Sequence, residues 1–447
     1  MRLAKNLTEG AIGKHIFSLA MPILGTSFVQ MLYSFTDMAW LGRLDSQSVA
    51  AVGAVSVFTW IATSLSQVTK VGSEITVANA LGKGDTSNAA EHASHSSTMA
   101  LILGILIGTT YLLFASPLLS IYSLTPDIHS TAVSYMRIVA LGMPLLTLAA
   151  SYTGTYNATG HSQIPFTISC VGLILNMILD PICIFLLGWG VEGAACATIL
   201  SQLIVCLLFI RQLRVVDHLL EDFPLLAPLR LPVVGAILYI GVPVALLNCL
   251  FAFIDMFMGR MASRTGGYIG VLTLTTGGQL EGITWNTAQG FSTTLSAFIA
   301  QNFGAGKMDR VYGAFTYTLK LTLLFGVFTS LFYFFGGELL FGIIVPDPAA
   351  YSAGGTYLRI NAFSQLFMML ELCVQGYFYG IRKSIIPASI SIGGNLLRIP
   401  LAIYLLHLYP TIETLWWVIC ASSILKGLVS ALFYLGHRSK VRLSPRS

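Results

Sequence analysis

Apolar stretches long enough to cross a lipid bilayer recur along the whole chain, at roughly 16–41, 49–80, 93–116, 130–155, 162–187, 193–211, 233–261, 270–303, 313–335, 355–381, 385–408 and 412–436. A helix needs about 20 residues to cross the hydrocarbon core. Lipid offers no partner to an open backbone N–H or C=O, so continuous apolar spans of this kind are helices. Composition agrees: 10% of the residues are charged and mean hydropathy is +0.77, whereas soluble domains carry about 25% charged residues. The expectation is an all-α membrane protein of twelve transmembrane helices.

Orientation follows from Lys and Arg. With the N-terminus inside, the inner segments hold 15 of the 24 (Arg2 and Lys5 through Arg446) and the outer loops hold 3, Arg43, Arg260 and Arg264. The positive-inside rule then places both termini in the cytoplasm. This bias accounts for the net charge of +5, and nothing points to nucleic acid. The polar start carries no cleavage signal, so no removed peptide is expected. The seven cysteines fall within spans without metal-like spacing and read as small core residues.

The spans form two copies of one unit. Tyr135, Arg137, Gly154, Ser162 and Pro165 reappear 222 residues later as Tyr357, Arg359, Gly376, Ser384 and Pro387. The same offset links Gln67 to Gln289, Gly82 to Gly304 and Gly172 to Gly394. Pro126-Asp127 and Pro346-Asp347 echo each other in outer loops. The expected organisation is an N-terminal lobe over 1–210, a cytoplasmic linker over 211–232 rich in Pro and acidic residues, and a C-terminal lobe over 233–447. Each half has an even number of spans, so the copies run parallel about a pseudo-two-fold axis along the membrane normal, as in secondary transporters with a cavity between repeats. No GxxxxGK[ST] phosphate loop is present, which leaves an ion gradient as the energy source.

The copies differ where chemistry resides. Ionisable residues inside a span are costly and functional by default. Asp37, Asn176, Asp180 and Thr198 fall at one depth, roughly 8–12 Å below the outer surface at 1.5 Å per helical residue. Asn176 and Asp180, at i and i+4, share a helix face. Two carboxylates, an amide and a hydroxyl at one level suit Na⁺, which takes oxygen ligands, and equally a proton held between neighbouring carboxylates. The bland alternative for Asp180 is a helix break at Asp180-Pro181. In the second copy the matching positions are Arg398 and Ala402.

These residues, with Asn176-Met177-Ile178-Leu179-Asp180-Pro181, Gly193-Ala194-Ala195-Cys196-Ala197-Thr198 and the paired stretches Ala78-Asn79-Ala80-Leu81-Gly82 and Ala300-Gln301-Asn302-Phe303-Gly304, resemble the multidrug and toxic compound extrusion (MATE) family. The resemblance covers nearly the whole chain. It implies a cation-coupled antiporter, not an enzyme, that exports cationic or amphipathic drugs through a V-shaped pair of six-helix lobes. It also implies that Asp37, Asn176, Asp180 and Thr198 act through side chains and Ala194 through its carbonyl, as Na⁺ ligands if Na⁺ is the coupling ion. No cofactor is implied beyond H⁺ or Na⁺. One departure stands out: Asp255 and Glu371 do not align with the second-lobe carboxylates of another branch, and Phe253-Ile254-Asp255-Met256 echoes Phe35-Thr36-Asp37-Met38 instead.

Gln67, Glu281 and Gln289 are candidates for the substrate cavity. Glu281 either attracts a cation or sits solvated near the outer end. Lys70 and Glu74 neutralise one another at i, i+4, and Arg398 is expected to pair with Glu371. Pro22 and Gly25 mark a hinge in the first helix. Two rival readings fit less well. A lipid-linked oligosaccharide flippase calls for a strongly cationic cavity, and a prenyl transferase for a second aspartate-rich motif. The chain is expected to act as a monomer in a bacterial inner membrane.

Overall fold

The structure, a computed structural model, describes residues 4–122, 124–221, 223–344 and 348–443. Arg2, Asp222, the Pro346-Asp347 pair and Arg446 lie outside the described residues. Thirteen helices follow one another with no strand among the described residues: α1 (Ile12–Leu44), α2 (Ser46–Gly82), α3 (Thr86–Leu119), α4 (Pro126–Leu141), α5 (Met143–Ala158), α6 (Gln163–Pro181), α7 (Gly190–Arg211), α8 (Leu231–Gly304), α9 (Met308–Ile344), α10 (Pro348–Gly380), α11 (Ile385–Leu396), α12 (Arg398–Leu408) and α13 (Ile412–Leu443). Among the described residues nine helices are individually long and apolar enough to cross a membrane, and α4 with α5, bent by 47°, make a tenth span. The 74-residue α8 changes direction at Gly267, whose φ of +59° is non-helical, and supplies two spans. The 33-residue α10, whose polar face includes Asn361, Gln365 and Glu371, completes twelve.

Each bend has a local cause. Pro144 has no N–H for the carbonyl of Ala140, and the chain breaks at Gly142 between α4 and α5. Helix α3 presses into that bend with Gly104 and Gly108. A Cβ at Gly108 would lie 2.6 Å from the Ala140 oxygen, and one at Gly104 would lie 2.5 Å from Pro144 Cα. Small residues at i and i+4 let membrane helices approach this closely. Pro181 ends α6 in the same way, and the chain continues as a single π-helical turn over Ile182–Leu186.

The duplication is visible in the contacts. Tyr111 donates to the Phe58 carbonyl at 2.7 Å and Tyr333 donates to the Leu280 carbonyl at 2.8 Å, both partners displaced by 222. Gly154 faces the Lys70 carbonyl as Gly376 faces that of Ser292. Large apolar side chains such as Leu106, Leu113, Leu324 and Phe335 are exposed. Lipid is the solvent in which such a surface is stable.

Two compact units result: Met1–Cys249 with Ala300–Lys307, and Leu250–Ile299 with Met308–Ser447. Their boundary departs from the linker at 211–232, because the first turns of α8 and the segment 300–307 pack with the first unit. Gly241 of α8 abuts the Val68 carbonyl of α2, and Gly82 and Gly304 abut the carbonyls of Gln301 and Asn79. The polar N-terminal segment is also ordered. Lys5 N–H donates to Thr159 O, Leu7 N–H donates to Gln301 Oε1, and Asn302 Nδ2 donates to Leu7 O. The linker is tied down by the Arg230–Glu91 ion pair at 2.8 Å and by buried Asp217, which accepts from Tyr156 and Gln212.

Candidate functional site: a polar pocket in the first unit

Helix α6 places Asn176 and Asp180 one turn apart, both fully buried. The Asn176 amide donates to Asp180 Oδ1 at 3.2 Å. Asp37 on α1 lies against both Asp180 and Asn176. One turn before it, Tyr33 faces Thr198 and Ser201 of α7 and sits within the field of both aspartates. Thr198 donates to the Ala194 carbonyl at 3.0 Å, so these two sequence candidates form one polar turn of α7. Tyr135 of α4, also buried, lies within the electrostatic field of both carboxylates. The structure thus places the sequence candidates Asp37, Asn176, Asp180, Ala194 and Thr198 in one region of the first unit, with Tyr33 of α1 beside α7.

The pocket is short of donors. Asp37 Oδ1, Asn176 Oδ1 and Asp180 Oδ2 are buried acceptors with no hydrogen-bond partner, and the buried Tyr33 hydroxyl likewise has none. Orphaned buried acceptors are costly, and three of them on neighbouring side chains favour a bound cation or proton. The donor set is all oxygen, which fits Na⁺ or a proton bridging the carboxylates.

Helix α1 runs unbroken through Pro22 and Gly25. Thr26 donates to the Pro22 carbonyl at 3.0 Å, and a Cβ at Gly25 would lie 2.5 Å from the Phe166 ring of α6. Gln67 is half-buried on α2 of the first unit, while Glu281 and Gln289 are half-buried on α8 in the second. Glu281 is neither a lone attractant nor a solvated residue: it accepts from Tyr357 at 2.7 Å and Gln365 at 3.0 Å. Glu371 pairs with Lys426 at 3.2 Å and accepts from Ser391. Arg398 instead donates to Ser422 at 2.7 Å and Ser423 at 3.1 Å. The expected Arg398–Glu371 pair gives way because Lys426, on α13, reaches the carboxylate first. In the first unit Glu74, beside Lys70 in charge, accepts from Asn157 at 3.3 Å.

The MatE family model matches twice, over residues 22–182 and 243–404. The chain belongs to the MATE family. It is a multi-pass membrane transporter and not an enzyme. The two matches end 222 residues apart, so the family unit is the duplicated half. The chain is similar to the probable multidrug resistance protein NorM of Thermotoga maritima, at 25% identity over 96% of this chain and 94% of that one. It is also similar to a FAD transporter of Shewanella oneidensis, at 24% identity over 78% of each. Among solved structures, a MOP superfamily transporter from Pyrococcus furiosus superposes with a TM-score of 0.92, covering 99% of this chain and all of that one at 23% identity, a likeness of fold. Within this MATE chain, sequence reasoning passed over Tyr33 and Tyr135 as site residues. Tyr33 stands at i−4 from Asp37, on the same helical face, and that spacing was the available signal.

Proposed function

We infer that the protein is a secondary active antiporter that exports cationic or amphipathic drugs in exchange for H⁺ or Na⁺. The observation that carries this reading is that neighbouring side chains in the first unit, Asp37, Asn176 and Asp180, each leave a buried oxygen without a hydrogen-bond partner. The multidrug resistance name of a relative supports the substrate class. In this mechanism the outward-open protein takes up H⁺ or Na⁺ between Asp37 and Asp180, with Thr198 and the Ala194 carbonyl completing the shell. Neutralising the pocket lets α1 repack about Pro22 and Gly25, which shrinks the substrate space lined by Gln67 and expels the drug. The ion acts only because it prefers one conformation over the other. The protein works as a monomer held in a bacterial inner membrane with both termini cytoplasmic.

The test is efflux of a fluorescent organic cation from proteoliposomes with a pH gradient and a Na⁺ gradient imposed separately, with FAD in a parallel arm because a relative is named a FAD transporter. Export driven by either gradient, and reduced to background by Asp37→Asn in protein that remains folded, is the expected result. Export unaffected by both gradients and by Asp37→Asn would sink the antiport reading.

A further inference from the structure

A cavity of about 500 Å³ opens on the first unit between the end of α3 and the start of α4, and its polar lining is Ser116, His129, Ser130, Ser134 and Arg137. A cavity of about 370 Å³ opens at the matching place on the second unit, between α9 and α10. Its Glu338 and Tyr351 stand 222 residues after Ser116 and His129. Bonds fix this register as well as sequence, since Tyr111 of α3 and Tyr333 of α9 make the same hydrogen bond, each within its own unit.

The two cavities differ in charge. In the second unit Arg359 of α10 reaches across to α9 and pairs with Glu338 at 3.4 Å. Its mate on α4 is Arg137, but the position of the acid is now Ser116. Ser116 turns to His129 instead, with its hydroxyl 3.1 Å from Nε2. Among the described residues no carboxylate lines the first cavity, and the Arg137 guanidinium has neither an ion pair nor a hydrogen bond. Arg137 lies about three turns into α4. Helical side chains lean toward the N-terminus, which brings its head to the level of Ser116. The surface around it is apolar, with Leu113, Ile121 and Leu141 all exposed. An arginine within a membrane span almost always has a partner.

We propose that this cavity binds the phosphate of an anionic phospholipid. The oxyanion supplies the negative charge that Glu338 supplies in the second unit. The planar guanidinium fork matches a phosphate in two bonds, and the hydroxyls of Ser116, Ser130 and Ser134 are further donors. Exposed leucines beside the cavity suit acyl chains, which a soluble anion lacks. The lining offers no carboxylate to an ammonium, so phosphatidylglycerol fits better than phosphatidylethanolamine. Basic pockets between membrane helices hold lipid headgroups in this way. The second cavity, whose arginine is already paired, takes no such lipid. The site is separate from the polar pocket of Asp37 and Asp180 and does not depend on the antiport reading.

The full chain, purified in detergent and stripped of lipid, is titrated with phosphatidylglycerol or with phosphatidylethanolamine of the same acyl chains, and bound lipid is counted by native mass spectrometry. Phosphatidylglycerol should fill one saturable site and phosphatidylethanolamine should bind several-fold more weakly. Arg137→Gln should weaken phosphatidylglycerol binding about tenfold or more. Ser116→Glu, which rebuilds the ion pair of the second unit, should do the same, and Arg359→Gln should change nothing. Equal binding of the two lipids overturns the proposal, as does binding that survives Arg137→Gln or Ser116→Glu, or that is lost with Arg359→Gln. Displacement of the lipid by millimolar inorganic phosphate also overturns it, because the ligand would then be a free anion. Ser116 and Arg137 are both exposed, so both variants should elute as wild type does. A Ser116→Glu chain that fails to fold would show the two cavities to be unlike and would end the argument.

Discussion

At the residue scale, the same side chain does different work in different surroundings. Asp37 meets Asp180 and Asn176 inside the bilayer and leaves acceptors unpartnered. Asp45, in the turn between α1 and α2, caps α2 by accepting from Ser48 N–H at 2.6 Å and from its hydroxyl at 2.7 Å. The Ser48 backbone N–H, followed by its hydroxyl, holds the Asp45 carboxyl below the usual carboxylate range. A folded-state value depressed below the unfolded value, about 3.9, stabilises the fold above that unfolded value, and the gain is lost as pH falls through the folded value. Asp45→Ala should therefore cost about 1 kcal/mol or less at neutral pH, and thermal melts should show the difference from wild type shrinking on acidification. At Asp180 the expected effect lies on function: Asp180→Asn keeps the hydrogen bond from Asn176 but removes a charge, and gradient-driven efflux should fall to background while the thermal midpoint holds.

At the scale of elements, glycine decides where helices touch and where one turns. Gly267 adopts φ +59° and ψ −144° inside α8, a region almost closed to other residues, so Gly267→Ala should destabilise by about 1–3 kcal/mol in thermal or denaturant unfolding. Gly241 sits on the backbone of Val68, where a Cβ would collide, whereas a Cβ at Gly235 meets nothing within 4 Å. Both lie on α8, so Gly241→Val against Gly235→Val isolates the α2–α8 contact. The first should lower the yield of monodisperse protein in size-exclusion chromatography, and the second should leave it unchanged.

At the scale of the whole molecule, charge bias sets a direction across the membrane. Ser87, just beyond the Lys83 turn, and Thr125, before α4, are both exposed. In a cysteine-free background, Thr125→Cys should react with an impermeant maleimide on intact cells and Ser87→Cys only after permeabilisation. The reverse pattern would invert the topology. The duplication makes the molecule symmetric in scaffold, with Tyr111–Phe58 and Tyr333–Leu280 as matched bonds, while Asn176 and Asp180 against Arg398 and Ala402 break that symmetry.

The sequence by itself determined the solvent, the helical class, the duplication and most members of the polar pocket in the first unit. Hydropathy is local, and a carboxylate in a span is conspicuous wherever it falls, so Asp37 and Asp180 were legible one at a time. Partners were not. That Tyr33 lies beside α7, that Lys426 rather than Arg398 takes Glu371, and that Glu281 is held by Tyr357 and Gln365 depend on which helix faces lie opposite each other. The assignment of residues 300–307 to the first unit depends likewise on Gly82 and Gly304 letting two backbones meet. Those choices rest on contacts between residues far apart in the chain, where short-range periodicity carries no information and packing alone selects the partner.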